Sequence, residues 1–143
     1  ESPEDEDKPI EFKAGSLGAG RPLRPLTVSP QHRMLVQLQS GEECLAPAKA
    51  FLDLPGVRRK SGTRRMVYYH LYLERHAVLI AEGAMAESFF PGNYVLGKCE
   101  AEMHSALSRV FPDLEDYPPA RRLLGVRPAR EALRQMGGCL QAA

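Results

Sequence analysis

Two residues in this chain have the widest chemical reach. They are Ser29 and His32, three apart in Thr27-Val28-Ser29-Pro30-Gln31-His32-Arg33-Met34-Leu35-Val36. A hydroxyl can attack or hydrogen-bond, and an imidazole exchanges protons near neutral pH. Pro30 sets a corner between them, and the apolar residues on either side read as strands. The spacing predicts a hydroxyl and an imidazole on one tight turn between two strands. His70, His76 and His104 widen the choice. Ser29 with His32 could be a serine nucleophile with its base, although no glycine-lined elbow surrounds it. His70 and His76 with Cys44 could be three metal ligands, although five intervening residues on one strand is not a ligand spacing. The plainest reading makes each histidine a cap or core-edge residue, with His104 solvated on the polar side of a helix.

The rest of the chain must position these groups. Its 143 residues suffice for one domain with a real core. The 43% hydrophobic and 26% charged content places it with ordinary globular proteins. A net charge of +1 gives no global field for nucleic acid or an anionic membrane. Cys44, Cys99 and Cys139 form no CxxC pair, which argues against a zinc knuckle or a disulfide framework. No apolar run is long enough to span a membrane, and no signal peptide is seen.

Residues 1–9 read as an acidic, disordered lead. Ile10 to Ala14 alternates as a strand, and the glycine-rich stretch after it reads as a plain loop. Leu23–Val28 and Arg33–Leu38 flank the Ser29–His32 turn. Pro47 argues against a central strand between Cys44 and Phe51, and Ala48–Leu52 suits a short helical turn. The basic run from Arg58 to Arg65 reads as the solvated tip of a hairpin between Val57 and Met66, because no aromatic is interleaved to stack on bases. Met66–Leu73 has the strongest strand pattern, with Tyr69, Leu71 and Leu73 on one face and Tyr68, His70, Tyr72 and Glu74 on the other. Ala77–Ala81, a Glu82-Gly83 turn and Ala84–Ala86 form a hairpin. The period then changes: Leu96, Cys99, Met103, Leu107 and Val110 make one helical stripe, and Pro128 opens a second helix over Ala129–Met136. The fold class is mostly β, short curved strands and hairpins, with one or two C-terminal helices. The domain reading is 10–90 for the β part and 91–143 for a helical extension.

The Ser29-Pro30-Gln31-His32 turn resembles the T-x-x-H turn of Hedgehog/intein (Hint) autoprocessing domains, with Ser29 in the Thr position. Ala14-Gly15-Ser16-Leu17-Gly18 ahead of it is similar to bacterial Hint-like domains. The run Tyr69 to Phe89, with its Ala81-Glu82-Gly83 and Glu87-Ser88-Phe89 steps, resembles the closing strand pair of that fold. The resemblance covers about Ile10 to Phe90. It implies self-cleavage: a Cys, Ser or Thr at the domain's first residue attacks the preceding peptide carbonyl and turns the amide into an ester or thioester. By this likeness His32 protonates the departing amide nitrogen, Ser29 orients the scissile bond, and His70 stands where the family often has an Asp that assists the nucleophile. No cofactor or metal is implied. The penultimate His and terminal Asn of splicing inteins fall at Glu87 and Ser88, and serine cannot cyclise as asparagine does, so splicing is not expected.

The family's N-terminal nucleophile and first strands belong upstream of Ile10. The chain thus reads as the C-terminal portion of a Hint domain, inactive alone, from a larger bacterial protein, cytoplasmic or secreted. The alternative function is an inactive Hint-like β scaffold serving as an interaction module. Expected partners are the chain's own upstream polypeptide or a complementary N-terminal Hint fragment, or a second copy, because missing strands would leave apolar edges open.

Overall fold

The computed structural model describes residues 3–62, 65–90, 105, 108–110, 117–136 and 140–141. Numbered in chain order, β1 (Ile10–Phe12) lies between β2 (Leu26–Val28) and β5 (Val57–Arg59) in a three-stranded antiparallel sheet. The alternation read at Ile10–Ala14 is this strand. Ile10 and Phe12 are fully buried. Glu11 reaches Arg58 at 2.8 Å and Lys60 at 3.5 Å, so part of the basic run is engaged by one carboxylate.

The second sheet has the order β6-β7-β3-β4-β8. Its strands are β3 (Arg33–Gln37), β4 (Glu43–Pro47), β6 (Val78–Ala81), β7 (Ala84–Glu87) and β8 (Arg122–Leu123). Two strands do flank the Ser29–His32 turn, and they lie in different sheets. The turn is a corner between sheets. The β6–β7 hairpin closes on Glu82 and Gly83, both at positive φ, as a two-residue turn requires.

Pro47 does not exclude a central strand, contrary to the sequence expectation. β4 runs between β3 and β8, and Pro47 is its last residue. The parallel β8 pairs with Cys44 and Leu45 only, so the missing N–H at Pro47 costs no ladder bond on that side. Ala48–Phe51 follows as a short 3-10 turn.

Met66–Leu73 forms no strand, a second correction. Its backbone is tied to the second sheet by the Phe89 N–H donating to Leu71 O at 2.7 Å. The pattern was amphipathic, but ring packing rather than a ladder holds the segment. His70 and Tyr72 lie against Phe89, while Val67, Tyr69 and Leu71 are exposed. The hairpin expected between Val57 and Met66 is absent for the same reason: β5 pairs with β1 instead.

Among the described elements, helix α1 is one turn at Pro3–Glu6, and helix α2 spans Val126–Gln135 with Pro128 in its first turn, where a missing N–H is harmless. α2 buries Ala129 and Leu133 in the shared core. The stripe from Leu96 to Val110 and His104 lie largely outside the described residues. One cluster joins both sheets, with Phe12 and Phe51 edge-to-face at 5.4 Å. Truncating either ring would cost about 3–5 kcal/mol. No helix among the described residues is long and apolar enough to cross a membrane.

Candidate functional site

The corner that carries His32 is held from behind. The His32 N–H donates to Ser29 O at 3.1 Å. The amide of Ala48 donates to His32 O at 2.8 Å, and that of Lys49 to Pro30 O at 3.0 Å. Those two amides open the 3-10 turn and would otherwise lack partners. The backbone of the corner is thereby fixed, and Pro30 is buried while Ser29 and His32 stay half-buried.

Strand register brings the second half of the site to this corner. β3 and β7 are antiparallel with Met34 opposite Ala86. One step along, Arg33 faces Glu87. The Glu87 carboxylate is buried. Its Oε1 accepts the Arg33 backbone N–H at 2.9 Å and lies 3.6 Å from the Arg33 guanidinium. Its Oε2 lies 3.1 Å from His76 Nε2. The other His76 nitrogen, Nδ1, accepts the Ala120 N–H at 2.9 Å. A nitrogen that accepts carries no proton, so His76 is neutral and its Nε2–H donates to Glu87.

Burial pushes the His32 imidazole below its usual range; Glu87 pulls it back up, and His70 and Arg33 push it down. Burial likewise lowers His70, again opposed by Glu87. His70 keeps much of its surface in water but lays its ring on Phe89, with centroids 4.9 Å apart. Among the described residues, Glu87 is thus the one carboxylate that acts on both imidazoles.

Aromatic rings wall this cluster. Phe90 lies 4.8 Å from His76, and Tyr117 stacks on Tyr72 at 5.3 Å. The Tyr117 hydroxyl donates to Leu73 O at 2.6 Å. Ser88 is buried, and its Oγ accepts the Ala77 N–H at 2.9 Å.

The three residues singled out from sequence therefore fare differently. His32 adjoins Arg33, whose N–H binds Glu87, and His70 lies on Phe89, two residues from Glu87. Ser29 lies at the start of the same corner, where its carbonyl, not its hydroxyl, makes the hydrogen bond to His32. The metal set His70, His76 and Cys44 does not form: both His76 nitrogens are engaged, Cys44 is buried in β4, and no three such side chains converge among the described residues. Sequence reasoning missed Glu87 and His76 as members of the site. Only the register of β3 against β7 could have placed Glu87 there, 55 positions from His32.

Chemically, the site offers an imidazole held below its usual range, a second imidazole that acts on it, and a fixed buried carboxylate that favours the charge on both. That suits proton delivery and removal. No curated protein and no solved structure matches the chain. A family model does match, that of the Hint domain, over residues 2–93, well over half of the chain. The chain belongs to the Hint family of Hedgehog/intein-like autoprocessing domains.

Proposed function

We propose that this chain supplies the proton-transfer half of an autoprocessing site that cleaves the peptide bond at the N-terminus of its own domain, without splicing. The observation that carries this is the Glu87 carboxylate bound at the N–H that follows His32 on a rigid corner, with His70 packed on Phe89 two residues along and both imidazoles influenced by Glu87. An upstream Cys, Ser or Thr side chain attacks the preceding carbonyl carbon. Its proton passes to His70, the bond from sulfur or oxygen to carbon forms, and the carbon–nitrogen bond breaks. The departing nitrogen takes a proton from His32. An amide nitrogen leaves poorly unless protonated, and a positioned acid contributes about 10²–10⁴-fold. The resulting ester or thioester passes to water or another nucleophile.

Ser29 opens the corner and fits an orienting hydroxyl. Ser88 has no side-chain amide to cyclise, and its hydroxyl is occupied by the Ala77 amide, which supports cleavage without splicing. The test uses the parent polypeptide with its upstream residues, with hydroxylamine or dithiothreitol added to intercept an acyl intermediate. Wild type should release the upstream segment, trapped as hydroxamate or thioester. His32→Ala should slow release by about 10²–10⁴-fold. Unchanged release in His32→Ala would remove the proton-donor role. No release from wild type would leave the inactive scaffold as the reading.

A further inference from the structure

We propose that Glu87 is a positioning residue for the imidazole of His32, aimed by His76, whose tautomer is fixed from beyond the family-matched region by the amide of Ala120. This rests on the reading of His32 as proton donor, and it adds the group that favours a proton on that donor.

The geometry is a chain of directed hydrogen bonds. Ala120 N–H points to His76 Nδ1, at 2.9 Å. That leaves His76 Nε2 as the protonated nitrogen, 3.1 Å from Glu87 Oε2. The Arg33 N–H holds the other carboxylate oxygen at 2.9 Å. Both oxygens are therefore fixed, one from β3 and one from the loop before β6. The Arg33 N–H belongs to the His32–Arg33 peptide bond, so the carboxylate sits beside the corner, with the Arg33 guanidinium 3.6 Å away. A carboxylate there favours a protonated imidazole nearby.

The charged and titratable groups around His32 are Glu87 on β7, His70 on the extended segment and Arg33 on β3. Two of them disfavour imidazolium. Glu87 is the group among them that favours it, against the burial that lowers the corner histidine. Ala120 lies outside residues 2–93. The chain after the matched domain thus completes the site: without that amide, His76 Nδ1 would be a buried acceptor with no partner and free to take the other tautomer.

The test has one arm that does not depend on cleavage. Imidazole ¹⁵N and ¹H NMR of this chain reads the His76 tautomer and the titration of His32. In wild type, His76 should show a bare Nδ1 and a protonated Nε2. In Glu87→Gln, the His32 midpoint should move to lower pH. Glu87→Asp, which keeps the charge, should restore most of the shift, and Glu82→Gln at the hairpin tip should leave it unchanged. In the parent polypeptide, Glu87→Gln should bring the alkaline limb of the cleavage profile to lower pH and slow cleavage there about tenfold, the effect of roughly one unit of protonation. A protonated Nδ1 on His76, or a His32 midpoint indifferent to Glu87→Gln, overturns the inference. Should Glu87→Gln not fold, the wild-type tautomer and the Glu87→Asp titration decide it. Cleavage lost in wild type with the coupling intact would sink the proposed function and leave the coupling standing. Cleavage with an unmoved profile would do the reverse.

Discussion

Removing the side chain of Gln141 should cost about 3 kcal/mol of stability. Gln141 is 1% exposed and lies far beyond the family-matched residues. Its Oε1 accepts the Met85 N–H at 2.8 Å, and its Nε2 donates to Met85 O at 2.8 Å and Leu35 O at 3.1 Å. Strands β3 and β7 share only the Met34–Ala86 pair, so this amide supplies hydrogen bonds where the ladder has opened. Gln141→Ala removes three bonds, each worth about 1 kcal/mol net, and leaves one N–H and two carbonyls to find water. Water reaches half-buried Met85 more readily than Leu35, so the loss stays below three full desolvation penalties. With a urea dependence of about 2 kcal/mol/M, the midpoint should fall by roughly 1.5 M at unchanged slope. Gln141→Met, which keeps the volume, should lose nearly as much, because the bonds and not the bulk are responsible. Gln141→Glu should lose at least as much, since it sets a carboxylate against two carbonyls. A midpoint within about 0.3 M of wild type for Gln141→Glu would refute the reasoning.

Gly83→Ala should cost about 2 kcal/mol and Gly41→Ala about 1. Both glycines have positive φ, but a Cβ at Gly83 would stand 2.7 Å from Leu23 Cγ while Gly41 faces open space; Leu23→Ala should erase the excess in a double-mutant cycle. The Arg58 hydrogen bond holds the Glu11 carboxyl below its ordinary range, so its contribution is present above the usual carboxylate range and lost as pH falls through the lowered value. Arg58 is largely exposed, so Arg58→Ala should cost under about 1 kcal/mol at pH 7 and nothing in strong acid, read from urea midpoints. Burial lowers His32, so stability should decline as pH falls from the usual imidazole range toward the lowered value, and His32→Gln should flatten that decline in thermal melts. Val67, Tyr69 and Leu71 expose an apolar row on an extended segment, and we expect the chain to associate with an upstream Hint strand or a second copy. Light scattering that shows a monomer at high concentration, with no binding to an added upstream segment, would contradict this.

Much of this architecture is legible from local pattern. Val78–Ala81 and Ala84–Ala86 are short apolar runs on either side of a Glu-Gly pair, and a tight hairpin satisfies both signals. α2 carries its proline in the first turn and its apolar residues on one face. The corner at Ser29–His32 is marked by its proline. Pattern fails where pairing decides the outcome. Met66–Leu73 alternates as well as any strand here, yet its inward rings find Phe89 and Tyr117 rather than a neighbouring ladder. Pro47 is excluded from a central strand by its own chemistry, but not when the neighbour is two residues long. The site follows the same rule. His32 announces itself, whereas Glu87 is one more acidic residue at the end of a strand until the β3–β7 register sets it beside Arg33.

That register also explains why the chain after residue 93 matters to a site built within 2–93. β3 and β7 carry the two halves of the site, and their direct pairing is a single residue pair. A seam so short would let Glu87 drift from the corner. Two contacts from the later chain close it: Gln141 bridges Leu35 and Met85 on one side of the pair, and Ala120 fixes His76 against Glu87 on the other. The Gln141 bridge joins only uncharged groups, so it does not titrate with His32. The seam can then stay fixed while His32 gains or loses its proton, as the proposed self-cleavage at this corner requires.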